Sequence, residues 1–372
     1  MAERMSAPAR ATASGVSATP KLRSRKDGAA IPLDDLDRTL LNLMQGSFPL
    51  HPRPYAAVAR AAGIEEREAL ERVGRLLRER IIRQVTPIYD TRALGYSSML
   101  VAASVDSVHP WRAAKIVNAH PGVSHNYLRN HEFNMWFTIA TAPDSPLGLD
   151  GTLEVLKEQT GAASMRQLPT IRLFKIRMDL EMQGGTEALA SAGEAQEPLE
   201  ALAVPYDELD IAVIRATQGD MPIVPEPYAP AAARLRMSTE ALLEHMRAMQ
   251  ERSLLRRVAA ILFHRRAGFS ANGMGVWRVP EDEIMTIAPR MAAFRGISHC
   301  YQRPVYEDWP YSVFTMAHGR SQAECDAILD AIALETGIGE RATLYSSTEF
   351  KKIRLLYFTD DYRAWEREHA GM

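Results

Sequence analysis

The sequence predicts an α+β protein in which a winged helix-turn-helix unit and a ferredoxin-like β-α-β-β-α-β domain occur twice in tandem. Three observations carry that prediction. The chain repeats itself at one long offset; each copy opens on short helices with apolar residues at helical spacing; each copy then changes to strands alternating with two helices.

The repeat comes first because it organises everything else. LDDLDRTLLNLMQGSFPLHPRPY, from Leu33, has its counterpart in YDELDIAVIRATQGDMPIVPEPY, from Tyr206. Asp37 aligns with Asp210, Gln45 with Gln218, Pro49 with Pro222 and Tyr55 with Tyr228. Further on, Gly122-Val-Ser-His125 recurs as Gly296-Ile-Ser-His299, Arg129 as Arg303, Thr160-Gly161 as Thr336-Gly337, and Ile176-Arg177 as Ile353-Arg354. An offset that drifts by a few residues over a whole half indicates duplication, and its length excludes a solenoid. Two such halves are expected to pack about a pseudo-two-fold axis as an internal dimer.

The elements follow in order. Residues 1–30, rich in Ala, Ser, Pro, Lys and Arg without an apolar run, are expected to be a disordered arm. Over 31–90, Leu36, Leu40, Leu41 and Met44, then Ala69, Leu70, Val73, Leu76 and Leu77, mark helices, and IIRQVTPI a small β wing. Over 91–182, YSSMLVAASVD, VSHNYLRN, FNMWFTIAT and TIRLFKIRMDL read as strands, with WRAAKIVNAH and LGLDGTLEVLKEQ as helices between them. Residues 183–203, small and acidic, form a linker. The second helix-turn-helix spans 204–265. In the second ferredoxin-like domain, 266–372, ANGMGVWRV, ISHCYQRP, YSVFTMAH and FKKIRLLYF are the strands, and EDEIMTIAPRMAA and AECDAILDAIALE the helices.

Bulk properties narrow the function classes. Of 372 residues, 46% are hydrophobic and 24% charged, and the net charge of −2 does not suit a strongly basic nucleic-acid binder. Cys300 and Cys325 are the two cysteines, so no disulfide framework or zinc spacing exists, as in a reducing cytosol. No apolar stretch is long enough to span a membrane, and a cytoplasmic location is expected.

A winged helix-turn-helix followed by β-α-β-β-α-β resembles the Lrp/AsnC feast-or-famine regulators over essentially all of 33–180 and 206–358. Two strings narrow the resemblance. GVSHNYLRNHEFNMWFTIA and GISHCYQRPVYEDWPYSVFTMAHG are similar to the paired signatures of sirohaem decarboxylase subunits. In that family two related subunits form a heterodimer, and some members carry both in one chain. The resemblance implies conversion of sirohaem to didecarboxysirohaem, two ring acetates losing CO₂, in haem d1 or alternative haem synthesis. It implies no added cofactor, since the iron arrives with the substrate.

Sirohaem is a flat macrocycle rimmed with carboxylates, so it calls for cationic donors at the rim and apolar surfaces for its faces. His125, Tyr127 and Arg129 are spaced by two and share one face of a strand; His299, Tyr301 and Arg303 repeat the set. The two histidines and two tyrosines are the expected proton donors, and the two arginines the expected carboxylate anchors. His131 in the hairpin turn, Trp136, Tyr306, Trp309, Tyr311 and Lys351 complete the expected substrate-binding set. Trp136 and Trp309 read first as core residues and Lys351 first as a solvated strand edge, while His131 reads equally as a solvated loop residue. No metal ligands are expected, and a further homo-oligomer is left open.

Two rival readings share this layout. A DNA-binding regulator would need a base-reading helix, yet EEREALERVGRLLRER mixes acids with bases and STEALLEHMRAMQERS holds little that reads bases. DNA is therefore not the expected partner. A sirohaem or haem carrier without chemistry would use the same residues, and a turnover assay separates it from an enzyme.

Overall fold

Asp34 starts the first helix. Its carboxylate accepts the N–H of Asp37 while Asp37 accepts the N–H of Asp34, a capping box that satisfies orphan donors of the helix; Asp207 and Asp210 repeat it in the second copy. The computed structural model describes residues 33–176, 203–263 and 271–369. The expected arm over 1–30 and all of the expected linker except Ala203 lie outside the described residues.

The first copy runs α1 (Asp35–Gly46), α2 (Pro54–Ala62), α3 (Glu66–Arg78), β1 (Ile82–Tyr89), β2 (Ser97–Ser104), α4 (Pro110–Ala119), β3 (Val123–Arg129), β4 (Met135–Thr141), α5 (Gly148–Thr160), β5 (Ser164–Leu168) and β6 (Arg172–Ile176). The second runs α6 (Glu208–Thr217), α7 (Ala229–Arg234), α8 (Thr239–Glu251), β7 (Leu255–Leu262), β8 (Ala271–Trp277), α9 (Ile284–Ala293), β9 (Ile297–Gln302), β10 (Val313–Gly319), α10 (Gln322–Thr336), β11 (Arg341–Lys352) and α11 (Asp361–His369). The repeated Thr-Gly pairs end α5 and α10, with Gly161 and Gly337 in the left-handed region at φ 65° and 77°.

The helix-turn-helix units hold each other. β1 pairs antiparallel with β7, so the wing strand of each copy finds its partner in the other copy. The loops after α1 and α6 cross in the same way: Phe48 N–H donates to Val258 O at 2.7 Å and Met221 N–H to Val85 O at 2.9 Å. Two basic residues of α3, Arg72 and Arg75, are tied to carboxylates. Arg72 meets Asp34, Asp37 and Glu68 at 2.7, 3.1 and 2.9 Å, and Arg75 meets Asp37 at 2.5 Å. Asp210 holds Arg252 and His245 of the second copy at 2.7 and 2.8 Å.

The ferredoxin-like strands join in one nine-stranded sheet of order β5-β2-β4-β3-β11-β8-β10-β9-β6. Each copy's last strand closes its own sheet and then crosses. In the second copy β11 is continuous: Arg341–Tyr345 pair with β8, and Ser346–Lys352 pair with β3 of the first copy. In the first copy a break at Pro169 divides the strand, so β5 pairs with β2 and β6 with β9 of the second copy. Lysines at matching points lock the crossing. Lys351 Nζ donates to the carbonyls of Asn118 and His120 at 2.7 and 3.2 Å, and Lys175 Nζ to those of Ala292 and Phe294 at 2.7 and 3.3 Å. Each ammonium thus sits on the C-terminal end of the other copy's first sheet-covering helix, where the helix dipole favours a cation.

Helices cover one face of each half-sheet, with cores around Val117, Phe137 and Leu156 in the first half and Trp277, Met291 and Leu329 in the second. A third core belongs to both copies: Ala102, Phe133, Trp136 and Leu168 pack with Met274, Val276, Trp309, Phe314 and Leu344.

Three features differ from the sequence expectation. The final strand of the second half is Arg341–Lys352 rather than 350–358, because its crossing part is exposed and therefore polar. SMRQL forms β5, where no strand was expected, because it is half-buried and carries polar Ser164, Arg166 and Gln167. Helix α11, rich in charge, was not anticipated. The final strand expected over 170–180 is described only as β6, its remainder lying outside the described residues.

Candidate active site

Both His-Tyr-Arg rows begin at a bulge. The register of β3 against β4 slips between Val123 and His125, and that of β9 against β10 between Ile297 and His299. Bulges re-aim side chains, and here each puts a serine hydroxyl beside the next histidine. Ser124 Oγ lies 3.0 Å from His125 Nδ1, and Ser298 Oγ 2.6 Å from His299 Nδ1. Just before the first bulge Gly122 lets the chain run close against β4, since a Cβ there would stand 1.8 Å from the Ala140 carbonyl oxygen.

Past the bulge the strands alternate cleanly. Asn126 and Cys300 point to the helices, bonding Asn118 and the Ala288 carbonyl. The rows lie on the opposite face, as spacing by two requires. His125 and Tyr127 stack at 6.2 Å between ring centres, and His299 and Tyr301 at 5.9 Å. The Arg129 guanidinium lies 6.0 Å from the Tyr127 ring centre and 5.7 Å from that of Trp136; Arg303 lies 5.0 Å from Tyr301 and 5.4 Å from Phe314. The two rows are thus built alike.

Their electrostatics are set by burial. Burial strips hydration from Arg129 and Arg303 and lowers each guanidinium to about 10. The Nε of each is buried and has no hydrogen-bond partner among the described residues. Burial, then the neighbouring His318, lowers His299 to about 4. His125 is lowered by burial first, then by the cations of Lys352 and Arg83, with Glu349 acting the other way. Burial raises Tyr301.

The remaining expected residues divide. His131, Trp136, Trp309 and Tyr311 come together across the two halves: Trp309 lies 5.3 Å from both His131 and Trp136 and 5.0 Å from Tyr311. Trp136 and Trp309 are fully buried, so they are core residues and present no ring face to a macrocycle in this arrangement. Tyr306 is bridged to Trp309 through its backbone and packs at the edge of the same core. Its hydroxyl turns away, donating to the Gln167 carbonyl at 2.6 Å beneath the Arg166 guanidinium, and Arg166 pairs with Asp308 at 2.8 Å. Lys351 caps α4 and is not brought to the His125 row. Ser124, Ser298, Arg83 and Lys352 were missed. The serines were visible in the repeated Gly-x-Ser-His string, whereas Arg83 reaches the end of β11 from far away in sequence, its Nη2 donating to Lys352 O at 3.2 Å.

Comparison with known proteins agrees with the duplication. A family model described as an AsnC-like ligand binding domain matches residues 93–175 and 266–351, and one described as a siroheme decarboxylase NirDL-like HTH domain matches 37–83 and 210–256. The chain is 40% identical over 329 residues to the siroheme decarboxylase of Hydrogenobacter thermophilus, covering 88% of this chain and 97% of that protein. It is 36% identical over 300 residues to the siroheme decarboxylase NirDL subunit of Paracoccus denitrificans, covering 80% and 89%. Crystal structures of siroheme decarboxylase NirDL superpose with TM-score 0.73 at 36% identity, covering 91% of this chain and 99% of that one, and one of them is a complex with an iron-uroporphyrin III analogue at 35% identity with the same TM-score and coverage.

Proposed function

The chain belongs to the sirohaem decarboxylase family, and on that premise we propose that it decarboxylates two acetate side chains of sirohaem to give didecarboxysirohaem. The observation that carries the reading is the pair of desolvated guanidiniums, Arg129 and Arg303, each at the end of a row that also holds a tyrosine and a histidine. A polycarboxylate is the ligand such groups select, because a carboxylate restores the charge-assisted bonds that burial denies them. A related crystal structure holding an iron-uroporphyrin analogue supports a tetrapyrrole as that ligand.

The chemistry needs little beyond these residues. Each acetate, CH₂–COO⁻, breaks its C–C bond, leaves its electron pair to the carbon through the conjugated ring, and takes up one proton to become a methyl group as CO₂ departs. No electron is gained or lost overall, so the protein must bind, orient and deliver a proton. Arg129 and Arg303 anchor carboxylates that do not react. His125 or His299 donates the proton, with Tyr127 and Tyr301 stacked beside them. A resting His299 lowered to about 4 is neutral at pH 7. Substrate carboxylates entering beside it raise that value, so the acid form is generated by binding. The iron enters as part of the substrate, and no added cofactor is required. The product would feed haem d1 or an alternative route to haem.

Among the described residues no helix is long and apolar enough to cross a membrane, and the proposed location is the cytoplasm. Anaerobic incubation of the purified chain with sirohaem, followed by mass spectrometry, should show loss of two CO₂ masses without addition of a cofactor. Binding without mass loss would make the protein a carrier.

A further inference from the structure

Behind His299, and not behind His125, stands a chain of three side chains. Ser298 Oγ lies 2.6 Å from His299 Nδ1 and 2.5 Å from His318 Nε2, and His318 Nδ1 lies 2.7 Å from Asn272 Oδ1. His318 and Asn272 are register partners on β10 and β8, so the sheet sets their spacing. In the first half the same ladder positions hold Ala140 and Ser98. Ala140 offers no side-chain atom to extend the bond between Ser124 and His125.

With His318 neutral, as at pH 8, the last member sets the directions in this chain, with the Met316 carbonyl, 3.5 Å from Ser298 Oγ, as the alternative acceptor for the hydroxyl. A carbonyl oxygen only accepts, so His318 donates Nδ1–H to Asn272. His318 Nε2 then accepts from the Ser298 hydroxyl, and Ser298 Oγ accepts Nδ1–H from His299. Nε2 of His299 remains as the nitrogen on which a proton is gained and lost. The directions are the same whether His299 is neutral or protonated, so one ring orientation serves both states. Around His299 the register partners are Ile176 on β6 and Met316 on β10, Tyr301 stacks from its own strand, and His318 is the neighbouring titratable group, a cation only when it is protonated at both nitrogens.

We infer that His318, acting through Ser298 and held by Asn272, is a positioning residue that presents His299 Nε2 to the substrate, which makes the second-half histidine the better prepared proton donor. Its catalytic consequence rests on the proposed decarboxylase reading; its geometry does not. When CO₂ leaves, protonated His299 gives the Nε2 proton to the new methyl carbon and keeps Nδ1–H on Ser298.

The test is ¹⁵N NMR of the histidine-labelled full chain at pH 8, with His299 assigned by loss of its signals in H299Q. Wild type should show His299 as the Nδ1–H tautomer, His318→Ala a mixture, and His318→Gln, whose amide oxygen can still accept from Ser298, a return toward wild type. Single-turnover decarboxylation should slow about tenfold or more in H318A, recover in H318Q, and leave sirohaem affinity unchanged. An Nε2–H tautomer in wild type, or a tautomer unmoved in H318A, would overturn the inference. So would a lost tautomer with an unchanged rate. A tautomer behaving as expected in a chain that releases no CO₂ would sink the decarboxylase reading and uphold the positioning.

Discussion

Arg129 in the first half donates Nη1–H to the Leu344 carbonyl of the second half at 3.2 Å, and Arg303 answers it with a bond to the Leu168 carbonyl of the first. Each guanidinium is therefore steadied by a carbonyl of the other copy, at the point just before that copy's last strand crosses. Each also keeps a buried Nε for which the described residues supply no acceptor. One copy alone would lose the carbonyl that orients its arginine.

That arrangement makes the arginines the first place to test substrate binding. Replacing Arg129 or Arg303 with Ala removes a charge-assisted contact worth about 1.5–3 kcal/mol, roughly ten- to a hundredfold in affinity. Lysine should restore only part of it, because an ammonium cannot reproduce the planar fork shared between a carbonyl and a carboxylate. Absorbance titration with sirohaem measures both effects. Unchanged affinity in both Ala variants would remove the arginines from the site.

Trp309 gives a different kind of prediction. It is fully buried against His131, Phe133, Trp136 and Phe314, so Trp309→Ala should cost about 3–5 kcal/mol of stability. Denaturant unfolding reads that loss. Trp309→Phe, which keeps most of the volume, should lose less and bind sirohaem as wild type does. A stable W309F with weakened binding would return the indole to the substrate site.

The sequence made the duplication and most elements legible because each copy repeats its apolar pattern and its Thr-Gly stops. It did not reveal β5 or the crossing part of β11. Both are polar strands whose partners come from elsewhere in the chain, and alternation shows only a strand with one buried face. The same limit applies to the site. His125, Tyr127 and Arg129 could be grouped by spacing alone, and so could His299, Tyr301 and Arg303. Arg83 and Lys352 near His125, and the caps made by Lys175 and Lys351, depend on contacts between residues far apart in sequence.

The helix-turn-helix units should not read an operator. Arg72 and Arg75 on α3 are held by Asp34, Asp37 and Glu68, so base contacts would first require breaking those pairs. The pairing of β1 with β7 further ties the two units into a single body. A gel-shift assay against selected duplexes at physiological salt should find no sequence-selective complex. A nanomolar selective shift would promote the regulator reading.

The histidines carry the decisive prediction, and its pH dependence has two opposite signs. In the resting protein His299 is lowered to about 4, below its unfolded value near 6.5. The unfolded chain therefore binds the extra proton more readily. The contribution of His299 to stability is complete above about pH 6.5 and is lost as pH falls toward 4. His120, buried beside Trp365 and Lys351 and lowered to about 3, acts in the same direction. Catalysis should run the other way. At saturating sirohaem the single-turnover rate should rise as pH falls through the raised value of the bound histidine, because only the protonated ring can donate. Replacing the operative histidine with Ala should remove that rise and lower the rate by about 10²–10⁴-fold, with affinity far less affected. His299→Ala should be the more damaging single change, given the chain that orients His299. If the His125→Ala/His299→Ala protein still decarboxylates sirohaem at the wild-type rate, neither histidine is the acid, and the proton must reach the carbon from a tyrosine or from water.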